Sequence, residues 1–168
     1  VVTGAMRHPK VSGSDGPANV AAAVAVADSP VARGLGTLVV LNDEIHAARF
    51  VQKRHTQSPS AFGSPIGPIG WVAERKPYIL VGLKRAPELP RPIATNPSNL
   101  AALYKVVIGD DGRVLEKFPS LGYKGLVLEA LGGGHVPSRI VPIVAELAEQ
   151  MPVVLSSRTR NGRILRET

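Results

Sequence analysis

The residues best placed for chemistry lie in the polar, glycine-containing segment Ala5 to Ser14 and in the carboxylate that follows it, Asp15. The segment connects a predicted strand to a predicted helix, and reactive groups in α/β proteins collect beyond the carboxyl ends of the strands. The first N–H groups of a helix have no partner inside it, so they can hold a carboxylate or an oxyanion. The same composition also fits a plain strand-to-helix turn, and Asp15 is equally typical of a helix cap.

The other polar clusters indicate turns rather than catalytic sites. None of the four histidines has an i, i+4 partner or a flanking carboxylate pattern, so we expect no metal site and no cofactor. The absence of cysteine excludes disulfides, thiolate metal sites and a cysteine nucleophile. Gly132-Gly133-Gly134 lacks the spacing of phosphate-binding loops, and Asp110-Asp111-Gly112 is typical of a turn, so both are interpreted as turns.

The first elements of the chain must position the glycine-containing segment. Val1 to Ala5 predicts a short buried strand, and Ala18 to Asp28 predicts a helix, with Asp15 as its cap and Pro17 in its first turn. Thr37 to Leu41 is a β-branched apolar run of the kind found in interior parallel strands. The opening unit is therefore strand, helix, strand, and a right-handed crossover would make the two strands parallel.

The region after this unit predicts short, partly exposed strands. Ala47 to Gln52 suggests a strand returning from a loop, with Lys53 just past its end. Ser58 to Phe62 suggests one helical turn. Trp71 to Glu74 and Tyr78 to Gly82 alternate enough to predict a pair of strands.

A change of composition predicts two domains. Arg85 to Asn99 contains four prolines and no clear periodicity, which is typical of a linker. We therefore expect domains at 1–84 and 101–168, joined by a Pro-rich linker at 85–100. The second domain predicts strands at 105–108, 125–129 and 152–156, and helices at 113–120 and 138–150.

Charge and hydropathy limit the classes of partner. The net charge of +7 and the pI near 10.1 raise nucleic acid or another polyanion as a partner, although aromatic residues make up only 4%. A basic run near the C-terminal end is either a solvated surface or a phosphate-binding patch; it comprises Arg158, Arg160, Arg163 and Arg166. The longest apolar stretch, Val20 to Ala27, has eight residues, so no membrane span is expected. The lack of cysteine agrees with a cytoplasmic location.

Several motifs, taken in order, resemble one enzyme family. They read VVTGAMR at 1–7, SDGPAN at 14–19, VVLND at 39–43, FGSPIGPIG at 62–70, GYKGLV at 122–127, GGGH at 132–135 and SSR at 156–158. In order and spacing they are similar to the bacterial L-asparaginases and glutaminase-asparaginases. The resemblance covers essentially the whole chain.

The resemblance implies an α/β fold with a mainly parallel sheet and flanking helices, comprising part of the family's N-terminal domain and a smaller α/β C-terminal domain. It implies hydrolysis of L-asparagine to L-aspartate and ammonia, with weaker action on glutamine. Lys53 stands where the family carries the lysine that assists a threonine hydroxyl, and such a lysine requires burial that lowers its pKa. Ala5, with Gly4 and Met6, would offer backbone to the substrate amide. The family also implies a homo-oligomer, either a dimer or a tetramer.

The sequence also departs from the family pattern. The family's Thr-Gly-Gly-Thr-Ile segment and its Thr-Asp pair do not occur in it, so the nucleophile stays unassigned. Gly133 stands where several relatives place an asparagine that reaches a neighbouring subunit's site. One alternative is a naturally short enzyme with a substitute nucleophile, for which Thr3 and Ser14 are the candidates. The other is a fragment or degenerate relative that binds a small amino acid or a polyanion and catalyses nothing.

Overall fold

The computed structural model describes residues 1–84, 87–88, 90 and 98–167. Contacts divide the chain into two compact units, Val1–Leu89 and Pro90–Thr168. The Pro-rich linker predicted at 85–100 falls mostly outside the described residues. None of the helices in the described part of the chain combines the length and the apolar character that a bilayer span requires.

The described residues of the first unit contain one α-helix, a 3₁₀ turn at Pro30–Ala32 and six short strands. Helix α1 spans Gly16–Asp28, and the strands are β1 (Leu38–Leu41), β2 (Glu44–Ala47), β3 (Gln52–Lys53), β4 (Phe62–Gly63), β5 (Gly70–Ala73) and β6 (Lys76–Ile79). Pro17 lies in the first turn of α1, where its missing N–H costs little. The buried residues of α1 recur at helical spacing and form the face that packs on β1; they are Asn19, Ala22, Ala23 and Val26. The predicted helix is therefore confirmed.

Four of these strands form an antiparallel sheet in the order β1-β2-β5-β6, while β3 and β4 form a separate antiparallel pair. Two-residue turns connect β1 to β2 and β5 to β6. Their central residues all have positive φ, at 53° and 59° for Asn42 and Asp43 and at 49° and 63° for Glu74 and Arg75. Positive φ at both central positions gives the turn twist that matches paired strands. The predicted pairing of strands near 71–74 and 78–82 is confirmed as β5 with β6.

Gly70 lies where the neighbouring strand leaves no room for a side chain. It pairs with Ile45 of β2 and Ile79 of β6, and it is buried. A Cβ at this position would overlap the backbone carbonyl oxygen of Tyr78. Only a residue without a side chain fits here, because a backbone atom cannot move aside as a flexible side chain can.

The N-terminal segment and β1 differ from the prediction in one respect. Val2 forms a single parallel bridge to Val39, in which the Val2 N–H donates to the Leu38 carbonyl at 2.8 Å and the Val40 N–H donates to the Val2 carbonyl at 2.9 Å. The parallel direction predicted for these two segments is confirmed, but the strand predicted at 1–5 is reduced to this bridge. On its other side β1 pairs with β2 in the antiparallel sense, because a two-residue turn joins them.

The second unit is a parallel sheet with one longer helix. Strands β7 (Ala101–Lys105), β8 (Gly125–Ala130) and β9 (Val153–Ser157) are parallel in the order β7-β8-β9, and helix α2 spans Val141–Gln150. The buried core of this unit comprises Ala102, Val106, Leu115, Phe118, Leu126, Leu128, Ile140, Leu147 and Met151. The predicted α/β fold is confirmed by this parallel sheet and its helix, but the expectation of a mainly parallel sheet holds only here, because the two-residue turns of the first unit make its four-stranded sheet antiparallel.

Two boundary predictions for the second unit are wrong. The strand predicted at 105–108 lies instead at Ala101–Lys105, where its backbone pairs with β8 from Gly125 onward. The helix predicted at 113–120 is only a 3₁₀ turn at Leu115–Lys117. In both places only part of the apolar run packs into the core: Val106, Leu115 and Phe118 are buried, whereas Val107, Ile108 and Val114 are exposed.

Candidate functional site

The loop Gly4–Arg7 is held against the start of helix α1 by Asp15. The carboxylate of Asp15 accepts the backbone N–H groups of Met6 and Arg7, both at 2.9 Å. These two hydrogen bonds, that from Met6 foremost, lower the pKa of the Asp15 carboxyl below its usual value because they stabilise the charged form. Asp15 occupies the N-cap position, but its side chain makes no capping hydrogen bond. The predicted capping role is therefore wrong: the carboxylate binds N–H groups of the loop instead of the backbone N–H groups of the helix.

Asn19 connects this loop to the first hairpin turn. Its side chain is 2% exposed. The Nδ2 group donates to the Gly4 carbonyl at 2.9 Å and to the Asp15 carboxylate at 3.1 Å, and Oδ1 accepts the N–H of Asn42 at 2.9 Å. Asn19 thus satisfies backbone groups of two separate segments from inside the helix.

Sequence reasoning did not single out Asn19 as a functional residue. A signal was present, since Asn19 lies four residues after Asp15 on the buried face of a helix otherwise made of alanine and valine. A polar side chain on such a face must find partners, because a buried unpaired amide is unfavourable.

The backbone of Gly4 and Ala5 is exposed, in contrast to the side chains that hold the loop. An added Cβ at Gly4 would meet no atom within 4 Å, so the space beside it is open. Met6, the third residue predicted to bind substrate, is half-buried and has its N–H engaged by Asp15. The loop is therefore fixed by Asp15 and Asn19 and open to solvent at residues 4 and 5, as a site that orients a small polar ligand requires, although the Gly4 carbonyl is already bonded to Asn19.

Thr3 and Ser14, the candidate substitute nucleophiles, lie at either end of this loop. The Thr3 hydroxyl donates to the Val40 carbonyl at 2.6 Å, and Thr3 is half-buried. A peptide carbonyl fixes the hydroxyl but does not act as a general base, so this contact provides no activation. Ser14 is half-buried, and its N–H donates to the Val11 carbonyl at 3.2 Å.

Lys53 lies on a different part of the first unit, the two-stranded hairpin β3–β4. It pairs with Phe62, and the Arg54 N–H next to it donates to the Ala61 carbonyl at 2.6 Å. Lys53 is exposed, so the burial expected of the family's catalytic lysine is not supplied by the described residues around it. The helical turn predicted at 58–62 is also wrong, since Phe62 already belongs to β4.

Gly133 belongs to the second unit, in a turn of three glycines. The turn is closed by a bridge between Leu131 and His135, which confirms the prediction of a tight turn. The Leu165 N–H donates to the Gly133 carbonyl at 2.8 Å, and a Cβ on Gly133 would lie 2.9 Å from the Leu165 side chain. An asparagine at 133 would therefore require the Leu165 side chain to move.

Two family models match the chain, and together they cover most of it. The model described as "Asparaginase, N-terminal" matches residues 1–84, and the model described as "Glutaminase/Asparaginase C-terminal domain" matches residues 101–168. The first match alone covers half of the 168 residues.

Individual proteins give the same result. The chain is 38% identical over 167 residues to a probable L-asparaginase of Deinococcus radiodurans, covering 98% of the chain and 51% of that protein. It is 34% identical over 173 residues to a glutaminase-asparaginase of Pseudomonas aeruginosa, covering 96% of the chain and 46% of that protein. A crystal structure of a probable cytoplasmic L-asparaginase from Campylobacter jejuni superposes with a TM-score of 0.89 at 28% identity, covering 98% of the chain and 56% of that structure. The chain thus spans about half the length of these relatives.

Proposed function

Because this chain belongs to the asparaginase family, we propose that it takes part in the hydrolysis of L-asparagine to L-aspartate and ammonia, with weaker action on glutamine. The observation that carries the proposal is the loop Gly4–Arg7, whose exposed backbone is fixed by Asp15 and Asn19. A fixed backbone group is a better ligand for an amide than a mobile one, since less conformational entropy is lost on binding.

In the proposed reaction, a hydroxyl oxygen attacks the amide carbon and the C–N bond breaks. The amide nitrogen takes up the proton of the hydroxyl and leaves as ammonia. Water then cleaves the resulting ester to give the carboxylate. Ala5 and its neighbours Gly4 and Met6 orient the amide, and Lys53 controls the proton on the hydroxyl that assists the attack. Because Lys53 is exposed, bound substrate or a second copy of the chain has to desolvate it. The nucleophile itself is left unassigned.

We propose that the chain is organised as its composition predicts. It then comprises part of an N-terminal α/β domain at 1–84, a linker at 85–100 and part of a C-terminal α/β domain at 101–168. The assembly is a homo-oligomer, either a dimer or a tetramer, and its location is cytoplasmic. Self-association also agrees with the need to desolvate Lys53. Light scattering on the purified protein tests the assembly, and a monomer at assay concentrations would contradict it.

The activity is tested by ammonia release from L-asparagine, comparing the protein with Lys53→Ala, Lys53→Arg and a matched control, Lys76→Ala. Lys76 is an exposed lysine on β6 of the same unit. Loss of a proton-transfer group lowers rates by about 10²- to 10⁴-fold, so Lys53→Ala should lose at least about 100-fold in kcat while Lys76→Ala keeps the full rate. Equal activity in Lys53→Ala would remove Lys53 from the mechanism.

A second candidate function is binding of a polyanion such as nucleic acid. It is favoured by the net charge of +7 and by the exposed arginines of the basic run defined above, Arg158, Arg160, Arg163 and Arg166. Retention on immobilised nucleic acid should then fall steeply as salt rises, because binding releases counterions. A retention that does not depend on salt would dismiss this candidate.

A further inference from the structure

His46, Glu44 and Ser64 form a chain of hydrogen-bonded side chains that the proposed reaction does not use. His46 is 1% exposed and Ser64 is 4% exposed. Nδ1 of His46 lies 3.0 Å from the Ser64 hydroxyl oxygen, and Nε2 lies 3.1 Å from a Glu44 carboxylate oxygen. The order of groups is that of a hydrolytic triad, but the hydroxyl and the imidazole are both too buried for a substrate to reach them.

For a neutral imidazole beside an ionised carboxylate, the chemistry of the three groups fixes the direction of the hydrogen bonds. An ionised carboxylate accepts only, so the proton of a neutral His46 ring is on Nε2 and is donated to Glu44. Nδ1 is then an acceptor, and the Ser64 hydroxyl donates to it. Glu44 therefore selects the tautomer in which His46 can hold Ser64.

The position of Ser64 makes this contact important for Lys53. Ser64 immediately follows β4, which pairs with β3 and therefore with Lys53. Just before β3, the N–H groups of Phe50 and Val51 donate to the Ala47 carbonyl at 3.0 and 3.2 Å and tie that end of the hairpin to β2. Just after β4, the contact between Ser64 and His46 ties the other end of the hairpin to β2 of the larger sheet.

Residues 52 to 57 between these ties are exposed and bury little surface that could hold them in place, whereas Ala61 and Gly63 beside Ser64 are buried. We infer that His46, oriented by Glu44, is a positioning residue that anchors the hairpin β3–β4 through Ser64 and so sets the place of Lys53. The catalytic part of this inference rests on the proposed function of Lys53.

Amide hydrogen exchange tests the anchor independently of catalysis. The probe is the Arg54 N–H, which donates to the Ala61 carbonyl inside the hairpin, and the reference is the Val40 N–H of β1, which donates to the Val2 carbonyl. In Ser64→Ala the imidazole acceptor loses its donor, and exchange at Arg54 should become about tenfold faster. Ser64→Thr keeps the hydroxyl and should restore slow exchange. Ser60→Ala is the matched control, since it makes the same change at an exposed serine of the same hairpin.

Two exchange results would overturn the anchor. One is an Arg54 rate in Ser64→Ala equal to that of the unsubstituted protein. The other is an equal acceleration at Arg54 and Val40, which would mean a general loss of stability instead of local release of the hairpin.

Kinetics then tests the link to Lys53. A displaced lysine should lower kcat for ammonia release by about tenfold in Ser64→Ala with little change in KM, and Ser64→Thr should recover it. An unchanged kcat in Ser64→Ala, despite a released hairpin, would overturn the assignment of His46 as a positioning residue for catalysis. If the unsubstituted protein releases no ammonia, the proposed function fails, while the exchange result still decides the anchor.

Discussion

Replacing Asn19 with alanine should destabilise the first unit by about 2–3 kcal/mol. The substitution removes the partner of the Gly4 carbonyl and of the Asn42 N–H. Each of these hydrogen bonds contributes about 1 kcal/mol, and a partly buried group left without a partner adds to the loss. The further bond from Asn19 to Asp15 is left out of this sum. An effect of this size is a large fraction of the 5–15 kcal/mol that typically stabilises a domain.

Urea unfolding followed by tryptophan fluorescence measures this effect in the correct unit. Trp71 is the single tryptophan of the chain and lies in β5, so its signal reports on the first unit. With a typical urea dependence of about 1–3 kcal/mol per molar, the midpoint should fall by roughly 0.7–3 M in Asn19→Ala.

Two further variants interpret the result. Asn19→Asp keeps an acceptor for the Asn42 N–H but loses both donors, so its midpoint should also fall. Asn161→Ala changes an exposed asparagine of the second unit and should leave the Trp71 transition where it is. A shift below about 0.3 M in Asn19→Ala would refute the reasoning, because it would show that the loop does not depend on the helix for its partners.

Three other predictions concern single contacts. The pKa of Asp15 is lowered in the folded protein. Its carboxylate should therefore stabilise the fold at pH values above the unfolded-state pKa of about 3.9, and this effect should be lost as pH falls through the folded-state pKa. The urea midpoint of Asp15→Asn should accordingly depend less on pH below about 4 than that of the unsubstituted protein. Burial, followed by its hydrogen bond to Asp110, raises the pKa of Tyr104 to about 12. The protonated Tyr104 hydroxyl should therefore stabilise the fold fully below about pH 10, and this effect should be lost as pH rises through about 12. In an ultraviolet titration of Tyr104→Phe, the tyrosine step near pH 12 should be absent. Arg75→Gly should raise the stability of the first unit by about 0.5–1 kcal/mol, measured by urea unfolding, because φ is 63° there.

Local signals in the sequence were sufficient for several elements. Helix α1 follows from Pro17 and the alanine-rich run after it, because both act within a few residues. The pair β5–β6 follows from two short apolar segments close together in the chain, and the glycine turn at 132–134 follows from its composition. Each of these predictions depends on residues that contact their sequence neighbours.

The errors occur where distant residues decide the outcome. The β-branched residues after Lys105 predict a strand there, but pairing with β8 places β7 at Ala101–Lys105 instead. Asp15 has the composition of a cap, yet it binds the N–H of Met6, nine residues earlier. The His46–Ser64 contact joins residues 18 apart, and no local pattern indicates it.

The tight packing at Gly70 has a practical consequence for work on the site. Since the Tyr78 backbone fills the space that any side chain would need, alanine at position 70 cannot be tolerated by the sheet that carries Trp71 and His46. In a mutational scan scored by soluble yield, substitutions at Gly70 should therefore give the lowest yields and serve as the reference for misfolded protein. Where a variant at Lys53 or Ser64 loses turnover while its soluble yield stays well above that of the Gly70 variants, its defect lies in the reaction. A variant whose yield is as low as theirs has a defect in folding.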